Sequence, residues 1–167
     1  MRIKLLTVGL VFAAAGCGGG GEQAAQQEPA GEAPEAAAPA AAPTANAGEQ
    51  VYGNVCVVCH QPNGSGMEGA FPPLAGSAVV SGDPDIPIRI VLRGMSGEMT
   101  RNGVTYNGVM TPWGSQLSDE DVANVLTYIR SSWGNAASEV TAEQVAQVRT
   151  AVATHPDPFT TDELGIK

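Results

Sequence analysis

The sequence has few basic residues, and lysine is almost missing from it. Eight lysines and arginines stand against 17 aspartates and glutamates, the net charge is −9, and no lysine occurs between Lys4 and Lys167. Binding to nucleic acid or to an anionic lipid surface depends on clustered positive charge. The composition therefore argues against nucleic acid, against electrostatic membrane docking and against a protein partner recognised through a ring of lysines.

Aromatic residues are also scarce, at 5% of a chain of 167 residues. This length allows one domain with tails rather than two full domains. Alanine supplies much of the apolar fraction of 43% and lies largely outside any plausible core. We therefore expect one small domain. A covalent cofactor would help it to fold, as disulfides or metal ions help other small domains.

Cysteine and histidine are rare as well, with three and two residues, and most of them fall in one motif. Cys56-Val-Val-Cys59-His60 matches C-x-x-C-H, the attachment motif for c-type haem. Cysteines three positions apart share one side of a helical turn, so both thiols can reach the vinyl groups of one porphyrin while the adjacent imidazole faces the iron. A redox dithiol and half of a zinc site are the alternatives. The first expects a βαβ context and the second expects four ligands, for which only His155 is left.

The N-terminal segment has the features of a bacterial signal peptide over residues 1–16. Arg2 and Lys4 precede an apolar run that is too short to span a bilayer, and the run ends in Ala-Ala-Gly-Cys17. This ending resembles a lipobox, in which the cysteine becomes the lipidated N-terminus. The alternative is ordinary cleavage, a secreted protein and an unexplained Cys17. Lipidation would hold the domain at a membrane, since each buried CH₂ contributes about 0.8 kcal/mol.

Residues 17–45 are rich in glycine, alanine, proline and glutamate and have no hydrophobic periodicity. Such a composition cannot bury a core, and we expect a disordered linker after the lipidated cysteine. The linker is either a leash that lets the domain swing between partners or a spacer that clears the lipid surface.

Three segments around and after the haem motif resemble class I c-type cytochromes. Gly48 and Tyr52 match a glycine and an aromatic of the family's first helix, Phe71–Gly76 matches its P-x-L-x-G stretch, and Tyr106–Trp113 resembles its methionine loop. The resemblance implies an all-α fold around one covalent haem over residues 46–135, in which a last helix with Val125 and Tyr128 crosses the first helix. It extends to cytochrome modules of respiratory complexes: the lipoprotein subunit of alternative complex III, caa3-type oxidases and fusions to copper nitrite reductases.

The resemblance also implies roles for individual residues. The carbonyl of Pro72 would accept a hydrogen bond from His60 and so fix the orientation of the imidazole. The candidates for the sixth ligand of the iron are Met67, Met95, Met99 and Met110. The resemblance favours Met110, with Met99 as its main rival, although Thr111 stands where the family usually has proline. Arg89, on a predicted helix over 85–93, could pair with a haem propionate or be solvated.

Two further elements are expected from local patterns. Threonine and tyrosine around Asn102-Gly103 indicate a short hairpin-like loop between Met99 and Met110. In residues 136–167, Thr141 followed by Gln144 is typical of a capping box and predicts a short helix, followed by an irregular tail.

Together these observations predict an electron-transfer protein with no catalytic residues of its own. It would be a membrane-anchored monohaem cytochrome c with His/Met ligation, facing the periplasm or the cell exterior, and its partners would be redox proteins or respiratory complex subunits. His/Met ligation raises the reduction potential of haem. The alternatives are a haem enzyme or gas sensor with a labile sixth ligand, and a structural subunit whose haem only aids folding.

Overall fold

The computed structural model of the protein describes residues 44–156 and 158–166. The predicted signal peptide, Cys17 and most of the predicted linker lie outside the described residues. Among the described residues, no helix has both the length and the apolar character that crossing a bilayer requires.

The helices form the frame of the fold. Their bounds are Ala45–Val51 (α1), Val57–His60 (α2), Ala78–Ser81 (α3), Asp85–Arg93 (α4), Asp119–Ser131 (α5) and Ala142–Ala151 (α6). A π-helical turn, Tyr52–Cys56, joins α1 to α2, so that the chain enters the haem motif as one continuous helical segment. Such wide turns inside helices are frequent at functional sites.

Helices α1 and α5 cross at the close approach that the sequence predicted. A Cβ atom on Gly48 would lie 2.1 Å from the carbonyl oxygen of Asn124 and 2.6 Å from the Cβ of Tyr128, so only glycine fits there. The rings of Tyr52 and Tyr128 pack beside this crossing with their centroids 5.6 Å apart. Ser118 and Asp121 begin α5 with a reciprocal capping box.

Two strands follow α4, where the sequence predicted a short hairpin-like loop within an all-α fold. Strands β1 (Met95–Arg101) and β2 (Val104–Met110) form an antiparallel hairpin of seven residues each, turned by Asn102 and Gly103, both at positive φ. Asn-Gly is favoured in such two-residue turns. The sequence indicated this turn but underestimated the length of the strands.

The chain after α6 is also more ordered than the sequence suggested. A third strand, β3 (Phe159–Thr160), pairs in parallel with the start of β1 and completes a sheet of order β2-β1-β3. Three apolar side chains of this segment are buried, namely Phe159, Leu164 and Ile166. The short helix predicted within residues 136–167 is confirmed as α6, and its capping box joins Thr141 and Gln144.

Candidate functional site

Two adjoining cavities lie between the haem motif, the hairpin and α5. Both cavities are open to solvent on one side. Both are lined mainly by apolar side chains. The residues common to the two linings are Val55, Cys56, His60, Pro72, Met95, Met99, Met110 and Trp113.

The two cysteines of the motif reach this space from the helical segment on one side. Cys56 is the last residue of the π-helical turn and Cys59 lies in α2. The two form no disulfide, and both line the first cavity. Burial, with a smaller contribution from Cys59, raises the pKa of Cys56 to about 11. Both thiols face one cavity, as attachment to the two vinyl groups of one porphyrin requires.

His60 ends α2 and faces both cavities. Its Nδ1 lies 3.3 Å from the carbonyl oxygen of Pro72, close enough for Nδ1–H to donate and to leave Nε2 as the metal-binding nitrogen. Burial lowers the pKa of His60, against the opposing effect of the bond to Pro72. The imidazole is thus held in the neutral form that a metal requires.

The loop that carries Pro72 is fixed to the haem motif by short contacts. The amide of Gly66 donates to the carbonyl of His60 at 3.1 Å, and a Cβ on Gly66 would lie 2.2 Å from the carbonyl oxygen of Phe71. Tyr52 reaches the same region, since its hydroxyl donates to the carbonyl of Gln61 at 2.6 Å. The histidine and its hydrogen-bond acceptor are therefore positioned by residues close to them in sequence.

The hairpin closes the opposite side with alternate residues of both strands. Met95 is paired with Met110 and Met99 with Tyr106, and Gly97 and Gly108 lie opposite each other between these pairs. All six line the first cavity, as the two-residue period of a strand requires. The central glycines leave the middle of this face without side chains, so that the methionines lie at its two ends.

The structure thus brings together most of the residues singled out from the sequence. Cys56, Cys59, His60, Pro72 and Met110 share one cavity system. Met67 is 48% exposed and is absent from both linings, whereas the rival Met99 is buried and lines both.

Arg89 is not brought to this site. Its guanidinium lies 5.9 Å above the ring centre of Phe159, and it lines neither cavity. The reason is the ordered tail, which covers the face of α4 that the sequence left open to the cofactor or to solvent. The pairing of Arg89 with a haem propionate stays a prediction, and the structure shows a contact of its guanidinium with the tail.

Sequence reasoning placed one part of the cavity wall incompletely and missed another. Met95 was among the candidate methionines, but its pairing with Met110 emerges only when the strands are paired outward from Asn102-Gly103. Ile166 lines the second cavity from the tail, and no local pattern marked it.

The donor set and the cavity fit a haem. Two thiols at the spacing for thioether attachment, one imidazole whose lowered pKa favours the neutral form and soft thioethers surround an apolar space. In the described ranges, histidine, cysteine and carboxylate side chains form no group of three or more that could hold a bare metal ion. The fold and the site define the class of c-type cytochromes.

Comparison with known proteins gives the same answer. The family model described as cytochrome c matches residues 45–133. The chain belongs to the cytochrome c family, whose members bind haem c covalently and transfer electrons. Cytochrome c-552 of Thermus thermophilus is 40% identical over 111 residues, which cover 61% of this chain and 83% of that protein.

Two further relatives are subunits of larger assemblies. The cytochrome c subunit of the quinone-dependent alcohol dehydrogenase of Gluconobacter oxydans is 36% identical over 65% of this chain and 23% of that protein. The cytochrome c subunit of the gluconate 2-dehydrogenase of Pantoea cypripedii is 37% identical over 61% of this chain and 24% of that protein. Only a fraction of each of these subunits corresponds to the present chain.

Proposed function

We propose that the protein is a membrane-anchored monohaem cytochrome c that passes single electrons outside the cytoplasm, with His60 and Met110 as the axial ligands. The ligation is supported by the cavity lining, since His60 from α2 and Met110 from β2 line the same two cavities from different elements. Met95 and Met99 line them too, and the resemblance of Tyr106–Trp113 to the family's methionine loop favours Met110. Thioether ligation also suits a soft, apolar site better than water or a carboxylate would.

When bound, haem supplies one iron centre that takes up and releases a single electron. The residues of the chain keep that centre closed and dry. Cys56 and Cys59 hold the porphyrin covalently, and Pro72 orients His60. The apolar lining, which includes Trp113 and Leu126, offers water few hydrogen-bond partners. A site with two strong ligands and no vacant position favours electron transfer over oxygen chemistry.

An absorption spectrum of the purified, reduced protein with and without carbon monoxide tests this ligation. We expect a covalent c-type spectrum that does not change with the gas. Ready binding of carbon monoxide would show that no methionine holds the iron, and would favour the haem enzyme or gas sensor instead.

The partner is proposed to be a redox protein or the redox subunit of a respiratory complex, docked through apolar contacts. Val109 at the mouth of the first cavity is 67% exposed, and Val58 between the two cysteines is 75% exposed. Neither lysine of the chain lies within residues 44–156 or 158–166. The similarity to dehydrogenase cytochrome subunits supports a place in a complex as well as a free carrier.

Anchoring is proposed to occur through a lipid on Cys17, after removal of residues 1–16, with residues 17–45 as the tether. The basis is the sequence pattern of this region. Expression of the full chain in a bacterium that lipidates secreted proteins, followed by fractionation and mass spectrometry, tests the anchor. We expect lipid on Cys17 and haem in the membrane fraction, and a Cys17→Ser variant in the soluble fraction. Soluble protein without lipid in the wild type would contradict the anchor.

A further inference from the structure

The segment between Met110 and α5, residues 111–118, determines how firmly the methionine is held. It contains no helix or strand, and Thr111 stands where the family usually has a stiffening proline. A flexible segment here would let the thioether leave the iron. The contacts of the segment show what replaces the stiffness of proline.

On one side, α4 holds the segment by its backbone. The amides of Trp113 and Gly114 donate to the carbonyls of Val91 and Leu92 at 2.8 and 3.2 Å. A Cβ on Gly114 would lie 2.5 Å from the carbonyl oxygen of Leu92, so the approach of these two backbones is close.

On the other side, one side chain from α6 contacts the segment and the helix that follows it. Arg149 donates to the carbonyl of Gly114 at 2.5 Å, to the carbonyl of Leu117 at 3.0 Å and to the carboxylate of Asp119 at 2.6 Å. A guanidinium has five donors in a fixed planar fork, which suits three acceptors in a fixed arrangement. The ion pair with Asp119 is about one-third exposed, so solvent screens it in part.

Helix α6 is itself firmly placed, which lets Arg149 act as a fixed point. Val145 and Val148 are buried against the body of the domain. The chain just before the helix is tied to α5, because the hydroxyl of Thr127 accepts from the amide of Val140 at 2.9 Å and donates to its carbonyl at 3.2 Å.

We propose that Arg149 is a positioning residue for Met110, and that the C-terminal extension thereby keeps the sixth position of the iron closed. The inference rests on the proposed His60/Met110 ligation. Arg149 touches neither the cofactor cavity nor Met110; it restrains the segment through which Met110 is joined to α5. Without the guanidinium, the segment loses its hydrogen bonds to α6 and is held less firmly, so a competing ligand displaces the thioether more easily.

The test measures the binding of imidazole to the oxidised holoprotein, followed by loss of the absorption band that thioether-ligated ferric haem shows. In Arg149→Gln we expect the imidazole binding constant to rise about tenfold. The hydrogen bonds of the guanidinium stabilise the form in which Met110 holds the iron, and the substitution removes this stabilisation without affecting the imidazole-bound form. Arg149→Lys should recover part of the difference, since an ammonium cannot serve three separated acceptors. Asp119→Asn keeps both carbonyl contacts, should give a smaller rise, and serves in place of Arg149→Gln if that variant does not fold.

Arg130→Lys is the matched control. Arg130 is 2% exposed and also donates to several carbonyls, those of Val80, Gly82 and Ser138, none of which lies in residues 111–119. This variant should lower the thermal midpoint at least as much as Arg149→Gln, while the imidazole binding constant changes by less than about twofold.

The outcomes separate the two proposals. A wild-type protein without the thioether band overturns the ligation and, with it, the role of Arg149. A wild-type band together with an unchanged binding constant in Arg149→Gln and in Asp119→Asn overturns the role of Arg149 alone. Equal increases in Arg149→Gln and Arg130→Lys overturn it too, since they would reflect general loosening. An increase confined to the Arg149 and Asp119 variants supports it.

Discussion

The two walls of the cofactor cavity are built in different ways. The histidine wall is local: His60, the loop that carries Pro72 and the restraint from Tyr52 lie within about twenty residues of one another. The methionine wall is assembled from distant segments, because the hairpin and residues 111–118 are held by α4, by Arg149 of α6 and by β3. One wall therefore follows from a motif, and the other requires the completed fold.

The largest effect is expected when the haem attachment at the histidine wall is removed. Replacing Cys56 and Cys59 together by alanine removes both points of haem attachment, so covalent holoprotein should be nearly absent. The measurement is haem staining of the denatured protein after expression with a haem-attachment system. Replacing Met110 by alanine in parallel should leave covalent haem on the chain. Loss of covalent haem in both variants to the same degree would show that the two walls are not separable.

The second largest effect is expected when the proposed methionine ligand is removed from the methionine wall. In Met110→Ala, the reduced protein should bind carbon monoxide, which the wild type should not, because the sixth position is opened while His60 remains. Met99→Leu, a change of similar volume in the same cavity, should leave the iron closed. Gas binding in Met99→Leu but not in Met110→Ala would assign the ligand to Met99.

A third prediction concerns the crossing of α1 and α5, which supports the histidine wall. Gly48→Leu should lower the free energy of unfolding by about 3 kcal/mol and reduce haem incorporation, since the new side chain meets the backbone of Asn124. Denaturant unfolding measures the change. Gly53→Ala is the control, because a Cβ at Gly53 meets no atom within 4 Å. Equal stability of the two variants would contradict the close crossing.

The smallest effect concerns the outer rim of the site. With an acidic partner protein, added salt should leave the rate of electron transfer unchanged or raise it, since both proteins are negatively charged and salt screens their repulsion. Stopped-flow mixing at several ionic strengths measures this. A strong fall of the rate with salt would reveal a basic docking site that the composition does not suggest.

The sequence was sufficient for the parts of the fold whose cause is local. The C-x-x-C-H motif predicted the position of the thiols and of His60. The capping box of Thr141 and Gln144 placed the start of α6. In each case a few neighbouring residues carry the physical requirement.

The sequence was insufficient where a residue acquires its role from a distant partner. Phe159 and Thr160 form a strand only because β1 lies beside them, and two residues have no periodicity to detect. The sequence suggested the cofactor or solvent as the partner of Arg89, because the position of the tail could not be predicted. In the structure, the ring of Phe159 from the tail lies beside the Arg89 guanidinium. The three acceptors of Arg149 likewise lie 30 to 35 residues away in the chain.

The short strand β3 has a consequence for the behaviour of the protein at high concentration. An exposed strand edge offers unpaired amides and carbonyls to other chains, and pairing through such edges is a route to aggregation. Because β3 lies along the start of β1, and Thr161 continues this cover with a bond from its amide to the carbonyl of Ser96, that part of the strand is not available to another chain. The tail thus protects the part of the hairpin beside Met95 from association with a second molecule.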